Sequence, residues 1–256
     1  MNQFFKLGMA AAFCATSAAA LAAPVETASE TRPVDARIVR IRLDGVIDLK
    51  LKQGAVASLV ISGDKALVAK TTSEQDGDTM TIGTDAKKFK FSRRGESLRA
   101  ELTLPTLRAV SSDSLGWTDV SGFSGEQLDL KLEGAGSMKV VCDYRVVTAV
   151  LGGVGSMNIQ GDNADGIDLN LRGAGFVTLR GNSKWLKASL GGLGSLDAQH
   201  FNVDTVNLDL SGLGNAVVSA KQNANLNLSG LGSVTVYGKP VNRAVSVDGL
   251  GNVNWK

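Results

Sequence analysis

Apolar and polar residues alternate along most of the chain from Val39 onward, which is the pattern of β-strands with one buried and one exposed face. In the second half, the alternation continues on both sides of a recurring Gly-x-Gly unit. At one such unit, Leu169 and Leu171 precede the glycines and Val177 and Leu179 follow them, with polar residues between. No helical periodicity is sustained between the units, so the pattern predicts an all-β protein.

The Gly-x-Gly unit is an internal repeat with a period of about 19 residues. It occurs seven times at spacings of 18 to 20 residues, and a degenerate copy lies at 114–116. The first glycines of the units are Gly134, Gly153, Gly173, Gly192, Gly212, Gly230 and Gly249. One repeat is too short to bury its own apolar row, so successive copies must stack on one another. We therefore predict a single-domain parallel β-solenoid with about 19 residues per rung.

The glycines are expected at the same corner of every rung, at positions that face the core. The middle residues of the units have the opposite parity, and the apolar ones in the last rungs are Leu193, Leu213, Leu231 and Leu250. Either a bulge turns these side chains inward, or they form an exposed ladder that would be an interaction surface. The bulge is the favoured interpretation.

The N-terminus has the features of a secretory signal peptide at 1–22, with Lys6, an uncharged apolar run and a cleavage site before Ala23. The apolar run of about 15 residues is shorter than the roughly 20 that span a bilayer. A polar leader at 23–37 is predicted to be flexible, and 38–256 to form the solenoid, with regular repeats from about residue 110. We expect an exported protein of the periplasm or cell surface, without a transmembrane segment.

Composition argues against several classes of function. The 256 residues carry 27 Lys and Arg against 25 Asp and Glu, which is not the basic excess of a nucleic-acid-binding protein. His200 is the only histidine, and Cys142 is the only cysteine after the signal segment and is predicted to be buried. These residues are too few for a zinc site or a nucleophilic triad. No nucleotide-binding motif is complete, so we expect no metal, no cofactor, no nucleic acid and no catalytic residue.

Two sets of polar residues are candidate ligand-binding sites. The first is a basic segment with interleaved phenylalanines, and its cations are Lys88, Lys90, Arg93 and Arg94. It could bind anionic envelope glycolipid or polysaccharide, although a simple hairpin is the favoured interpretation. The second set consists of outward-facing asparagines of the last rungs, Asn207, Asn225 and Asn227. These could bind sugars through their amides, although a ladder that supports stacking is favoured.

A polysaccharide-cleaving enzyme is the alternative function, because Asp129 and Asp168 occupy the same outward position two rungs apart. Strand spacing places them roughly 10 Å apart, slightly wide for an inverting acid–base pair. Thr148 lies between them and no third carboxylate joins. A solvated face is therefore the favoured interpretation.

The chain resembles the family described as "putative auto-transporter adhesin, head GIN domain". The resemblance rests on "VRIRLDGVIDLKLKQG" and "LVISGD" between 38 and 64, "LTLPTLRAV" within 101–110, and the repeated "LSGLGS" pattern. It covers nearly all of the mature chain, and it implies an exported, right-handed parallel β-helix-like domain with no established enzymatic activity. The unit at 114–116 departs from the pattern, with Ser114 where the family has a glycine.

These observations together predict an exported, non-catalytic, adhesin-like binding or scaffolding protein of the bacterial cell envelope. Its partner would be an envelope glycan or protein. Trp255 falls on an inward position of the last rung, where it could plug an end that otherwise needs a partner or a second copy to cover it.

Overall fold

The strands follow the alternating pattern of the sequence. The computed structural model describes residues 26–84 and 98–256, of which 72% lie in strands and 2% in a helix. The N-terminal elements are β1 (Thr27–Arg32), β2 (Arg40–Gly45), β3 (Asp48–Gln53), β4 (Ser58–Asp64), α1 (Lys65–Val68), β5 (Thr71–Asp76), β6 (Thr79–Thr84) and β7 (Leu98–Leu104). The repeat region consists of β8 (Ala109–Ser114), β9 (Trp117–Leu132), β10 (Ser137–Leu151), β11 (Ser156–Leu171), β12 (Phe176–Leu190), β13 (Ser195–Leu210), β14 (Asn215–Leu228), β15 (Ser233–Tyr237), β16 (Asn242–Val247) and β17 (Asn252–Trp255).

Each regular turn of the solenoid has two extended legs. In β10 the legs are 137–141 and 146–151, separated by a shift in register, and the Gly-x-Gly corner joins the second leg to the next strand. Both legs pair in parallel with the turns before and after: Met138 lies opposite Met157, and Ala149 lies opposite Leu169. This pattern continues to the last strands and builds a single-domain β-solenoid of about seven turns, which confirms the predicted fold class.

The inward-facing side chains form one continuous apolar core along the solenoid. Each inward position becomes a ladder, such as Leu130, Ala149 and Leu169, in which every side chain is covered by its neighbours in the adjacent turns. Each turn therefore buries apolar surface against the next, as expected for a repeat too short to bury its own.

The corner glycines are needed for a reason different from the predicted one. A Cβ at Gly212 would lie much closer than van der Waals contact to the carbonyl oxygen of Gly192 in the preceding turn, and Gly214 is placed in the same way over Gly194. The backbone of the turn beneath therefore leaves no room for a side chain at these positions. Facing the core would not by itself require glycine, because other core-facing positions hold leucine or valine. A positive φ is required at only one of the first glycines, Gly249.

An irregular cap covers the N-terminal end. Strands β2 and β3 form the first turn, and β6 and β7 pair in parallel on its outer side. Strands β4 and β5 then pair antiparallel with β7 and β6, and β1 pairs antiparallel with β4 along six residues.

Residues 27–32 of the leader predicted to be flexible at 23–37 form strand β1. The guanidinium of Arg32 secures this strand by donating hydrogen bonds to the carbonyl oxygens of Thr71 at 2.5 Å and Val68 at 3.1 Å.

The last described turn, built by β16 and β17, is closed by a pair of side chains. Trp255 pairs opposite Val236 on the inward row, as predicted, and the guanidinium of Arg243 lies 4.4 Å from the centre of its ring. Arg243 occupies the position that the buried Ala224 has in the preceding turn. The last turn is therefore closed by a cation–π pair of Arg243 and Trp255, where the preceding turn has Ala224 and Val236.

Candidate functional site

Candidate binding residues of the last turns come together on the outer face of the second legs. Asn225 donates from Nδ2 to Oδ1 of Asn207 at 2.8 Å, and Asn227 donates from Nδ2 to Oδ1 of Asp209 at 2.8 Å. These four exposed side chains, here called the amide patch, line a shallow depression of about 350 Å³ with Ser246 of the last turn.

The amide patch has hydrogen-bonding capacity left after its internal bonds are made. A side-chain amide has two N–H donors and an oxygen with two lone pairs. The bond between Asn225 and Asn207 uses one donor and one lone pair, so the remaining groups face solvent. The ladder role favoured from the sequence and a binding role are therefore compatible in the same residues.

The basic segment is the other candidate set predicted from the sequence. Lys88, Lys90, Arg93 and Arg94 lie outside the described residues, as does the predicted signal peptide at 1–22. Their proposed contact with an anionic envelope component stays a prediction from the sequence.

The two aspartates of the alternative enzyme hypothesis both have partners. Thr148 lies in register between Asp129 and Asp168, as predicted. Asp129 accepts a hydrogen bond from Gln127 at 2.9 Å, and Asp168 forms an ion pair with Lys187 at 3.2 Å. Asp129 lines a surface depression, and Asp168 is not among the residues that line it.

That depression, of about 530 Å³, is lined by residues 39–40 and 106–108 and by residues of β9 and β10. Its tyrosine, Tyr144, donates from Oη to the carbonyl oxygen of Leu107 at 2.6 Å, and burial raises the pKa of its phenol. A phenol held in its neutral form and already bonded is a poor general base. Arg40 at the rim pairs with Asp78 at 3.3 Å. Gln127 and Asp129 of this depression bond to each other, and its described residues show no nucleophile–base pair.

Cys142 is buried, as predicted from its parity. Burial raises the pKa of its thiol to about 11, so the thiol stays protonated at neutral pH. It behaves as a small core residue and has neither the exposure nor the thiolate character of a reactive cysteine.

The corner leucines differ from the favoured prediction, because they point outward. Leu193, Leu213, Leu231 and Leu250 are 66%, 56%, 58% and 84% exposed. Two features prevent an inward bulge. The backbone N–H of Leu213 donates to the carbonyl oxygen of Gly192, which fixes the corner in the stack. The space beneath the corner is filled by leucines of the turn before, as Leu171 fills it beneath Gly194.

The exposed corners form an apolar ridge along the solenoid. Its members, one per corner, are Leu115, Ala135, Val154, Ala174, Leu193, Leu213, Leu231 and Leu250, and all are exposed. This corner ridge is the exposed ladder that parity indicated and that the sequence left as the alternative to an inward bulge.

Comparison with known proteins identifies the family. The family profile described as "Putative auto-transporter adhesin, head GIN domain" matches residues 39–240, which is most of the chain. The chain belongs to this family. No curated protein matches this chain in sequence.

Several solved structures share its fold. A "putative adhesin" from Parabacteroides merdae has a TM-score of 0.75 at 17% identity, with 90% of this chain and 96% of that chain covered. A "putative adhesin" from Parabacteroides distasonis has a TM-score of 0.73 at 18% identity, with coverage of 90% and 97%. A "putative lipid binding protein" from the same species has a TM-score of 0.71 at 18% identity, with coverage of 89% and 96%. At these identities the likeness establishes the fold alone.

Within residues 26–84 and 98–256, no helix has the length and hydropathy needed to cross a bilayer.

Proposed function

We propose that this head GIN domain protein is an exported, non-catalytic, adhesin-like binding protein of the bacterial cell envelope. The observation that carries the proposal is the amide patch on the outer face of the second legs of the solenoid. The patch presents amide and carboxylate groups in rows that repeat at the rung spacing of about 4.8 Å. Such rows suit a ligand that is extended and rich in hydroxyl groups, and the ligand class we assign is an envelope glycan.

The mode of binding follows from the geometry of the patch. Each ladder bond holds an amide in a fixed orientation, so little side-chain entropy is lost when a ligand binds. Asp209 adds a charged acceptor, which forms stronger hydrogen bonds with hydroxyl groups than a neutral acceptor does. The depression is open and shallow, which suits a chain lying across it. It would not enclose a small substrate and exclude water from it.

The test is binding of the purified protein to an array of bacterial envelope glycans, followed by titration with the glycan that binds. Asn225→Ala combined with Asn227→Ala should weaken binding at least tenfold, because each substitution removes two N–H donors and one acceptor oxygen. Asn158→Ala is the matched control, since Asn158 faces outward on a first leg, away from the patch. Equal losses in both variants, or no bound glycan, would refute the amide patch as a glycan site.

Export is tested separately. The pattern at 1–22 supports cleavage before Ala23, and the adhesin family supports a location outside the cytoplasm. Mass spectrometry of the protein isolated from cell fractions should show an envelope protein that begins at Ala23. An intact N-terminus in the cytoplasmic fraction would contradict this.

A further inference from the structure

The corner ridge exposes a large apolar surface to solvent. Its six larger side chains are each more than half exposed, and together they expose on the order of 600 Å². That is the upper end of the largest apolar patch on ordinary monomers, and it approaches the ~800 Å² per partner of a standard protein interface. The ridge therefore has the area of an association surface.

The sizes of the ridge residues are ordered along the solenoid. Small residues, Ala135, Val154 and Ala174, fill three of the four N-terminal positions, and leucine fills all four C-terminal positions. The order has a simple consequence for self-association. When the ridge is laid against a reversed copy of itself, small residues face leucines throughout the middle of the contact.

We propose that two copies of this chain associate along the corner ridge, antiparallel, about a two-fold axis between Ala174 and Leu193. The axis pairs the ridge residues in a fixed set: Ala174 with Leu193, Val154 with Leu213, Ala135 with Leu231, and Leu115 with Leu250. The first three pairs each combine a small residue with a leucine, so the separation of the two ridges stays nearly constant. A parallel arrangement would oppose alanine to alanine and leucine to leucine, leaving gaps in one half and crowding in the other.

The repeat spacing favours a second copy over an unrelated partner. Both ridges step at the same rung height of about 4.8 Å, so all pairs stay in register along the contact. A two-fold contact of this kind is closed, with the same surface used by both subunits, and does not continue into a filament.

The flanks of the ridge also favour a protein partner over an anionic membrane. Four corners, 152–156, 191–195, 211–215 and 229–233, contain only glycine, serine, asparagine and the ridge residue, and short uncharged residues allow a second backbone to approach closely. Three other corners each carry one charged residue, Glu133, Arg172 or Asp248. One arginine against two acidic residues is not the cluster of Lys and Arg that attracts a protein to anionic lipid.

The first test is the association state of the purified protein, measured by sedimentation equilibrium across micromolar concentrations. The protein should form dimers, and Leu193→Ser combined with Leu213→Ser should weaken dimerisation at least tenfold. Val241→Ser is the matched control, because Val241 is 83% exposed but lies off the ridge. Circular dichroism establishes that each variant is folded. A protein that is monomeric throughout, or a control that weakens the dimer equally, would overturn the proposal.

The second test determines the orientation of the copies. Ala135→Cys and Leu231→Cys are made in separate chains, and the native Cys142 is buried and does not compete. Disulfide formation should occur in the mixture of the two variants and much less in either variant alone. Cross-linking of each variant with itself would overturn the antiparallel arrangement.

A third measurement separates a second copy from a lipid surface. Flotation with phosphatidylcholine vesicles should leave the protein in the unbound fraction. Ridge-dependent flotation of a monomer, abolished by the double serine variant, would replace the dimer with a membrane contact. The dimer does not rest on the glycan-binding role, because the amide patch lies on the legs and the ridge lies on the corner.

Discussion

A pair of adjacent glycines provides a sharp test of the stacked corners. Gly191 and Gly192 are neighbours in the chain, yet an added methyl group would meet different surroundings at each. At Gly192, a Cβ would overlap the carbonyl oxygen of Gly173 and lie 2.6 Å from that of Arg172. At Gly191, the nearest atom would be the side-chain oxygen of Ser211 at 3.6 Å, an ordinary contact.

The magnitude follows from what must move to relieve the overlap. Gly192→Ala forces the corner away from the turn beneath it, which breaks the hydrogen bonds from Leu193 to Gly173, at 3.2 Å, and from Gly191 to Leu171, at 2.9 Å. Each is worth about 1 kcal/mol net, and the displaced corner also uncovers part of the Leu171 side chain. We expect a loss of about 2–4 kcal/mol. Gly191→Ala should change stability by about 0.5 kcal/mol or less, on the stabilising side, because alanine restricts the unfolded chain.

The assay is urea unfolding of both variants, followed by hydrogen exchange. Because each turn of a solenoid contacts only its neighbours, protection should be lost mainly from the turns around and beyond residue 192. Similar losses in the two variants, or a larger loss for Gly191→Ala, would refute the explanation that backbone stacking excludes a side chain from the first glycine.

Three further predictions test the core and the end of the solenoid. Leu171→Ala should cost about 3 kcal/mol in urea unfolding, because the fully buried side chain leaves a cavity between turns. Since burial raises the pKa of Cys142 from 9.0 to about 11, stability should be intact below pH 9 and fall by about 2 kcal/mol as the pH rises to about 11. Cys142→Ala should remove this part of the pH dependence. Arg243→Val should give assemblies larger than dimers in sedimentation. The substitution replaces the guanidinium over Trp255 with an apolar side chain, so the last turn presents an uncharged, unpaired strand edge to other molecules. An unchanged association state would refute the capping role of Arg243.

Much of the fold could be predicted from the sequence because the solenoid repeats a local pattern. The parity of residues such as Leu169 and Val177 fixes which face is buried, and the period of the glycines fixes which residues stack. The same reasoning placed Asn225 and Asn227 on the outside, next to the residues 18 positions earlier. Local periodicity thus determined both the core and one candidate site.

The errors arose where the outcome depends on non-local contacts. Parity places Leu213 outward, and the bulge expected to turn it inward is prevented by the side chains that fill the corner beneath it and by the hydrogen bond from its N–H to the carbonyl oxygen of Gly192. Strand β1 is polar and has no apolar alternation, so its structure depends on pairing with β4, about 30 residues away in the sequence. Pairing partners of this kind cannot be read from a single polar segment.

The ends and sides of the solenoid together explain how a repeating fold can present a finite binding surface. The N-terminal end carries the polar edge strands β1 and β5, and the C-terminal end carries Arg243 on an inward row, so both ends oppose further stacking. Association is thereby directed to the sides of the solenoid.

A two-fold axis across the corner ridge places corresponding legs of both copies on the same side of the dimer, so both amide patches face the same way. A long glycan could then bind both patches, and its apparent affinity would exceed that of one patch by about 10²-fold or more. Leu193→Ser combined with Leu213→Ser should therefore weaken binding of a long glycan while leaving binding of a short oligosaccharide unchanged. Equal weakening of both ligands in calorimetric titration would show that the ridge acts on the patch itself and would refute avidity as the purpose of the dimer.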